Sequence, residues 1–366
     1  MKAIVFHEQG GVEKLRYEDV PNPKINRDEV LVRVRACAVN RLDLRARRDR
    51  PEVAPMPHIL GSDVAGDVAE VGSEAFTSST DASPPACWEA EGLGLRAHIK
   101  VGERVVIFPC INCGYCVDCI NGDESLCDNQ KVLGFQTNGG YAEFVKAPER
   151  NIIPISDEIS YAEAAAVPIT FLTAWHMLIT RANLNAGEDV LILSAGSGVG
   201  SAALQIAKLS GARVFATAST EEKLARAKEF GADFAINYKE VDFSDVVKQL
   251  TKGRGVDVVF EHVGADTFEQ SINSLAKNGR LVTCGVTSGN MARINIRYIY
   301  QKQLSIIGSA LGNKRELVKI LKLVEQGKLK PIIDQILPLE KAAYAHRLME
   351  DRNHFGKLIL APNPAI

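Results

Sequence analysis

The sequence has no excess of either charge: across 366 residues, 43 basic side chains stand against 45 acidic ones, a formal net charge of -2. A chain without a field of one sign carries no electrostatic footprint for DNA, RNA or an anionic bilayer, so nucleic-acid and membrane partners are excluded from the expectations. It also lacks any apolar run approaching the roughly 20 residues of a membrane span. Met1 and Lys2 lead straight into Ala3-Ile4-Val5-Phe6 and Gly10-Gly11 with no apolar signal core, and the cytoplasm is the expected location. No internal repeat stands out. What is present is 46% hydrophobic and 24% charged residues, the balance of a soluble globular protein. The chain is longer than one hydrophobic core usually supports, which predicts two domains.

Disulfides are a poor reading of the eight cysteines, because five of them, Cys110, Cys113, Cys116, Cys119 and Cys127, fall within eighteen residues. Such clustering favours thiolate ligands. Cys113, Cys116 and Cys119 are held in register by two-residue spacers, and Cys127 closes the loop, the stoichiometry of a tetrahedral zinc site. An unmetallated thiol set and an iron–sulfur centre are the alternatives, and Cys110 is a spare thiol. Four thiolates leave no open coordination position, so one structural zinc per chain is expected, folding a lobe over residues 110–127 that has few apolar residues of its own. Cys37 and Cys284 read as core packing, and Cys87 lies in an irregular excursion.

The chain changes grammar along its length. Lys2 to Phe6, Val30 to Ala38 and Val64 to Val71 read as strands of a twisted, largely antiparallel unit punctuated by glycine. Glu74 to Lys100 is a surface excursion centred on Ser78-Ser79-Thr80-Asp81-Ala82-Ser83-Pro84-Pro85, with a short helix at Ala86 to Leu95 carrying Trp88. From Tyr161, strands alternate with helical stretches, the pattern of a parallel sheet covered on both faces. Strands are predicted at Val190 to Ser194, Arg213 to Thr217, Phe234 to Asn237, Asp257 to Glu261, Arg280 to Cys284 and Ser305 to Gly308. Helices are predicted from about Val199 to Leu209 and from Glu221 to Phe230, the latter capped by Thr220 and stopped by Gly231. The fold class is α/β, with a doubly wound parallel dinucleotide-binding sheet. After 310, a helix at Lys314 to Gly327, a strand at Ile332 to Leu337, a helix near Leu339 to Asp351 and a strand at Lys357 to Leu360 are expected to complete the N-terminal domain. The boundaries are then 1–165 with 310–366, and 166–309.

The first strand of the parallel sheet runs into Ala195-Gly196-Ser197-Gly198-Val199-Gly200 and then a helix. A turn without bulky side chains ahead of free helix amides lets a pyrophosphate approach the backbone. Ser197 and Ala195 occupy positions where glycine is common, and Gly200 is the expected close helix–sheet contact. The second strand ends Ala216-Thr217-Ala218-Ser219-Thr220. Ala218 and Ser219 leave space and a hydroxyl for a 2'-phosphate and Lys223 can reach back to it, which favours NADP(H) over NAD(H). The alternative is that Glu221 or Glu222 supplies the carboxylate for NAD(H), with Lys223 a solvated helix residue.

Taken together, Gly61-Ser62-Asp63-Val64-Ala65-Gly66, the four-cysteine lobe, Gly139-Gly140-Tyr141-Ala142-Glu143-Phe144, the nucleotide turn and Phe355-Gly356-Lys357 resemble the medium-chain dehydrogenase/reductase superfamily over nearly the whole chain. The zinc lobe is similar to that of alcohol dehydrogenases, and the catalytic positions to those of NADPH:quinone oxidoreductases. The resemblance implies a Rossmann domain beside a mainly β, GroES-like catalytic domain. It also implies that the three ligands of the family's catalytic zinc fall on Asn40, Ser62 and Ile169, none of them a strong zinc ligand. His58 and Asp63 would still leave that coordination shell short.

Without a Lewis acid, an alkoxide is hard to stabilise, and an already activated acceptor is easier to reduce. The expected function is therefore hydride transfer from NADPH to a small-molecule quinone, enone or other carbonyl acceptor without catalytic zinc. The Asn40 amide is expected to meet the developing negative charge, Asp43 to orient the cleft or hold Arg41, Ser62 to stand at the family's histidine position, and Thr173 to lie near the nicotinamide. Tyr141 is expected to cap the pocket or to pack. Gly264, Gly285 and Val286 match loops over the adenosine and nicotinamide-ribose side, and His262 is a loop polar residue. The alternatives are an alcohol dehydrogenase and a non-catalytic NADPH-binding protein. Ile294 to Ile307 is expected to form an apolar edge beside the sixth strand, pairing across a two-fold axis in a homodimer or homotetramer, or else buried within one subunit.

Overall fold

A computed structural model describes residues 1–49, 56–73 and 99–363. The expected helix at Ala86 to Leu95 with Trp88, and Cys87, lie outside the described residues. Contacts divide the chain into two compact units, Met1–Ile169 with Asn313–Gly327 and Pro331–Ile366, and Thr170–Gly312 with Lys328–Lys330.

The first unit opens with β1 (Lys2–Phe6), β2 (Glu29–Ala38), α1 (Arg41–Asp49), β3 (Asp63–Val71) and β4 (Arg104–Ile107), followed by β5 (Phe144–Pro148) and β6 (Ile152–Pro154). In β2, Val30, Val32 and Val34 face the core while Arg33 and Arg35 point outward, the period-2 alternation of a half-buried strand. Its last three residues, Ala36, Cys37 and Ala38, are buried on both faces, and that end leads into Asn40. The nine-residue helix α1, rich in arginine, is not expected from the sequence pattern.

The second unit contains α2 (Thr170–Trp175), β7 (Asp189–Ile192), α3 (Gly198–Leu209), β8 (Arg213–Ala218), α4 (Glu221–Glu229), β9 (Phe234–Asn237), β10 (Val256–Glu261), β11 (Leu275–Thr283), α5 (Ile296–Lys302) and β12 (Ser305–Gly308). Its strands lie in the order β9-β8-β7-β10-β11-β12 and every pairing is parallel, the doubly wound arrangement expected. As expected, the Thr220 hydroxyl accepts from the Lys223 amide at 3.3 Å to cap α4, and Gly231 lies just past its end with φ +112°. Strand β11 begins five residues before the expected Arg280. The apolar stretch from Ile294 is not one edge: the Asn295 side chain accepts from the Arg297 amide and starts α5, so only Ser305–Gly308 forms the edge strand.

The chain then returns to the first unit through α6 (Lys314–Glu325), β13 (Ile333–Pro338), α7 (Ala342–Glu350) and β14 (Lys357–Ala361). The main sheet there runs β6-β4-β3-β2-β14-β13, with β5 also paired to β2. Helix α6 braces the cysteine lobe: the Asn313 side-chain oxygen Oδ1 accepts from the Ser125 amide at 3.0 Å, and Arg315 pairs with Asp123.

Candidate functional site

Strand register builds the first cluster. Antiparallel pairing of β2 with β3 sets Ala38 opposite Asp63, and pairing of β14 with β2 sets Ile359 opposite Ala38. Extending the same register brings Asn40, Asp63 and Lys357, from strands 23 to 317 residues apart, to one buried point. The Lys357 ammonium, 3% exposed, donates to Asn40 Oδ1 at 2.6 Å, Val39 O at 2.9 Å and Asp63 Oδ2 at 3.0 Å, three acceptors for its three protons. Asp63 also accepts from Asn40 Nδ2 at 2.8 Å and from the Ile169 amide at 2.8 Å. Burial pushes the Asp63 carboxyl up, and the Lys357 charge and these donors pull it back.

This geometry corrects the expectation for Asn40. Its amide nitrogen already donates to Asp63 and, at 3.3 Å, to Ala38 O, so both protons are committed inside the protein. Asn40 positions Asp63 and Lys357. Ser62 is fully buried beside them in the chain, and its Oγ has no hydrogen-bond partner. Sequence reasoning quotes Lys357 within a motif but gives it no role, because its partners are more than 290 residues away.

Asp43, 1% exposed, anchors a second network and does not hold Arg41. Its carboxylate accepts from the Asn40 amide at 2.7 Å, the Gly61 amide at 3.2 Å and the Tyr141 hydroxyl at 3.1 Å, tying together the two loops that carry Asn40 and Ser62. Tyr141 is therefore fully buried packing and not a pocket cap. Burial raises the Asp43 carboxyl to about 7, against the pull of its amide donors and Lys357. The fully buried Arg47 guanidinium donates to His346 Nδ1 at 3.2 Å, so the other ring nitrogen carries the proton and donates to the Tyr141 oxygen, also at 3.2 Å. Burial and the Arg47 charge hold the His346 imidazole down to about 3, and Arg47 also pairs with Glu350. His58 sits at a strand entry, its Nε2 donating to Gly134 O at 3.2 Å.

In the second unit, Gly196, Ser197, Gly198, Val199 and Gly200 form the turn from β7 into α3. The Ser197 hydroxyl caps α3 by accepting from the Gly200 amide at 3.0 Å. A Cβ on Gly200 would lie 2.3 Å from Ser194 O, so only glycine permits this approach of helix and strand. Helix α2, which carries Thr173, packs on α3. Ser219 follows β8, and Lys223 lies in the first turn of α4. Gly264, with φ +101°, and Gly285 hold the loops after β10 and β11 together: a Cβ on the first would meet Gly289 O at 2.6 Å, and on the second His262 O at 2.7 Å. Val286 is exposed in that loop. Glu261, fully buried, accepts from the Val263 and Gly264 amides at 2.9 Å and was not expected in this role. His262 donates to Leu193 O at 2.9 Å, a loop polar contact.

The sulfurs of Cys113, Cys116, Cys119 and Cys127 lie within 4.8 Å of one another, with Cys113 3.9 Å from Cys119 and 3.7 Å from Cys127. A tetrahedron of ~2.3 Å zinc–sulfur bonds has edges of about 3.8 Å, so the donor set fits zinc. Amide donors, led by that of Tyr115, lower the Cys113 thiol to about 6, toward the thiolate that ligation needs. Cys110, buried, is not part of this group.

Two family models match, one described as an alcohol dehydrogenase GroES-like domain over residues 26–157 and one as a zinc-binding dehydrogenase over residues 198–326. The chain belongs to the medium-chain dehydrogenase/reductase superfamily. Within this superfamily it is 33% identical to an NAD-dependent alcohol dehydrogenase of Sulfolobus acidocaldarius, over 98% of this chain and 99% of that one. It is 31% identical to a quinone oxidoreductase of Mus musculus, over 98% and 97%. Identity to an acryloyl-coenzyme A reductase of Sulfurisphaera tokodaii is 29%, over 99% and 100%. A solved structure of an NAD-dependent alcohol dehydrogenase superposes with a TM-score of 0.89 at 43% identity, covering 99% of both chains. The protein is an NAD(P)(H)-dependent hydride-transfer oxidoreductase of this superfamily with a non-catalytic, four-cysteine metal-binding cluster. Among the described residues no helix is long and apolar enough to cross a membrane.

The family's catalytic zinc does not fit the residues present. Ile169 offers no side-chain donor, Asn40 is bound to Lys357 and Asp63, and an ammonium already occupies the cluster. A divalent ion about 4 Å from that ammonium would meet several kcal/mol of repulsion.

Proposed function

We propose that this enzyme takes hydride from NADPH to reduce an acceptor whose carbonyl is conjugated, a quinone, an enone or an enoyl thioester, without a catalytic metal. The observation that carries the reading is the Lys357–Asn40–Asp63 cluster at the positions where the family ligates zinc. The cofactor, when bound, supplies hydride from nicotinamide C4. Gly200 lets the pyrophosphate approach the α3 amides, Ser219 and Lys223 meet the 2'-phosphate, and Gly264, Gly285 and Val286 shape the ribose side, with Thr173 toward the nicotinamide. A conjugated acceptor spreads the negative charge that hydride addition creates, so it asks less of the protein than an alkoxide does. The Ser62 hydroxyl, which has no internal partner but is fully buried in the free enzyme, donates to that charge once binding of the acceptor uncovers it. Asn40 and Asp43 hold the loops on either side of it.

A second reading, an alcohol dehydrogenase, is favoured by the similarity to the alcohol dehydrogenase of Sulfolobus acidocaldarius and to the solved alcohol dehydrogenase structure. It would need a Lewis acid that this donor set does not hold. The exposed edge strand β12, where Ile306 is open to solvent, supports pairing of two copies into a homodimer or tetramer, and a cytoplasmic location belongs to the same reading. The test is Ser62→Ala with the best conjugated acceptor. We expect kcat and kcat/KM to fall together by tenfold or more with NADPH affinity unchanged. Unchanged kcat in a folded, cofactor-saturated variant would remove Ser62 from the reaction.

A further inference from the structure

The loops that follow β10 and β11 are built around one side chain. Glu261, the last residue of β10, is fully buried. Its Oε1 accepts from the Val263 amide at 2.9 Å, the Gly264 amide at 2.9 Å and the Thr267 hydroxyl at 2.8 Å. Those three donors wind the loop after β10 around a single oxygen and set the start of the helix Phe268–Ser274. Its Oε2 accepts from the Thr283 hydroxyl at 3.2 Å, at the end of β11. One rigid carboxylate plane therefore takes donors from both strand ends. Further out, the loops are joined to each other. The Ser288 amide and hydroxyl donate to Val263 O at 2.7 and 2.9 Å, and the Ala265 amide donates to Gly289 O at 3.2 Å. The four donors to Glu261 are two amides and two hydroxyls, with no cation among them. An apolar side chain would fill this strand end with far less desolvation, so what the acid adds is a fixed geometry between two loops.

We infer that Glu261 is a positioning residue for hydride transfer: by coupling the two loops it fixes where the nicotinamide ribose is held, and with it where C4 stands when hydride leaves. The inference rests on the reading above that sets the ribose side of the cofactor against Gly264, Gly285 and Val286, and it is independent of which acceptor is reduced. Glu261 acts through those loop residues. A displacement of about 1 Å at the reacting atoms can cost on the order of a hundredfold in rate, so a small shift between the loops is read out at C4.

Thr283→Val is the decisive variant, because it removes only the tie from Oε2 to β11 and leaves the three donors on Oε1 in place. Glu261→Gln keeps the shape and can donate to the Thr283 oxygen, so it retains part of the coupling, and Glu261→Leu loses all of it. Each is compared with wild type in the dissociation constant of NADPH, read from its fluorescence, and in thermal unfolding. Turnover is measured with the acceptor that wild type reduces fastest, using NADPH with and without deuterium at the transferred C4 position. In Thr283→Val we expect a Tm within about 2 °C of wild type, an NADPH dissociation constant raised about threefold and a kcat lowered about fivefold. The isotope effect does not fall, since the slowed step is hydride transfer, and the acceptor KM stays within about twofold. Glu261→Leu loses about tenfold or more in kcat, with Glu261→Gln between it and wild type. Wild-type kcat and NADPH affinity in Thr283→Val overturn the inference, whether or not the Glu261 variants fold. A lower Tm with unchanged kcat in the folded fraction also overturns it, leaving the acid a role in stability alone. So does a kcat loss with a vanishing isotope effect, which assigns the slow step to release. Val286→Asp, at an exposed position, tests the reading beneath: it should raise the NADPH dissociation constant about tenfold by setting a carboxylate against the coenzyme. Unchanged NADPH binding there removes both the reading and the inference, whereas weakened binding there with a wild-type Thr283→Val overturns the inference alone.

Discussion

Replacing Lys357 by Met probes the buried cluster. Lys357 and Asp63 are 3% and 0% exposed, and their contact is 3.0 Å. Removing one partner of a buried pair costs about 3–5 kcal/mol, because the remaining charge loses its compensation. Asp63 would keep two donors, the Asn40 amide and the Ile169 amide, each at 2.8 Å, which places the loss near the lower end, about 3 kcal/mol. For a unit of this size that corresponds to a fall in Tm of about 6–12 °C. The pH dependence has a definite sign. Burial already holds the Asp63 carboxyl above its ordinary value, and losing the Lys357 charge lifts it further. The folded variant then binds a proton that the unfolded chain releases, so stability is greatest in acid and is lost as the pH rises through the raised value. The deficit against wild type is accordingly larger at pH 8 than at pH 5. Calorimetric unfolding of the zinc-loaded protein at both pH values reads it. The double variant Lys357→Met with Asp63→Asn removes the orphaned charge and recovers about 2 kcal/mol of the loss. A single variant within about 1 kcal/mol of wild type at pH 8, or a double variant no more stable than the single one, would refute the reasoning.

Protein purified without added zinc should hold close to one metal equivalent, lost in Cys119→Ser together with order in the lobe; two tightly held equivalents would contradict the single-site account. Ala218→Asp should shift the NADPH-to-NADH ratio of kcat/KM toward NADH by about tenfold or more, a change of about 1.4 kcal/mol. A wild type that already prefers NADH tenfold would show the end of β8 to be misread. His346 titrates near 3 when folded and near 6.5 when unfolded, so between these values the unfolded chain binds more protons and stability falls as the pH is lowered. Asp43, raised to about 7, acts in the opposite sense over an overlapping window. The gap in unfolding free energy between wild type and His346→Leu should therefore narrow by about 1 kcal/mol per pH unit below pH 6. A constant gap from pH 7 to 4 would mean that the histidine is charged in the folded state.

The nucleotide unit was legible because its signals are local. Val190-Leu191-Ile192 is a buried parallel strand, the turn after it needs Gly200 for a contact with nearby Ser194, and Thr220 and Gly231 cap α4 from within its own segment. The cysteine lobe was legible for the same reason, since four ligands within fifteen residues carry their own geometry. The candidate site was less so. Arg47 reads as one more charge on a basic helix until His346 and Glu350 arrive from some 300 residues away, and α1 itself was hidden by those charges. Asn40 reads as a free amide until β14 brings Lys357 opposite it. Side chains whose partners lie on distant strands have roles set by register between those strands, which no window of sequence contains.

The most direct test of the account is turnover by protein containing one zinc equivalent, measured as NADPH oxidation with quinones, enones and enoyl thioesters and as NADP+ and NAD+ reduction with primary and secondary alcohols. The account predicts that at least one conjugated acceptor is reduced with a kcat/KM a hundredfold or more above that of any alcohol, and that chelation which spares the cysteine lobe leaves this rate unchanged. Alcohol oxidation as the dominant activity, abolished by such chelation without unfolding and restored by zinc, would contradict it.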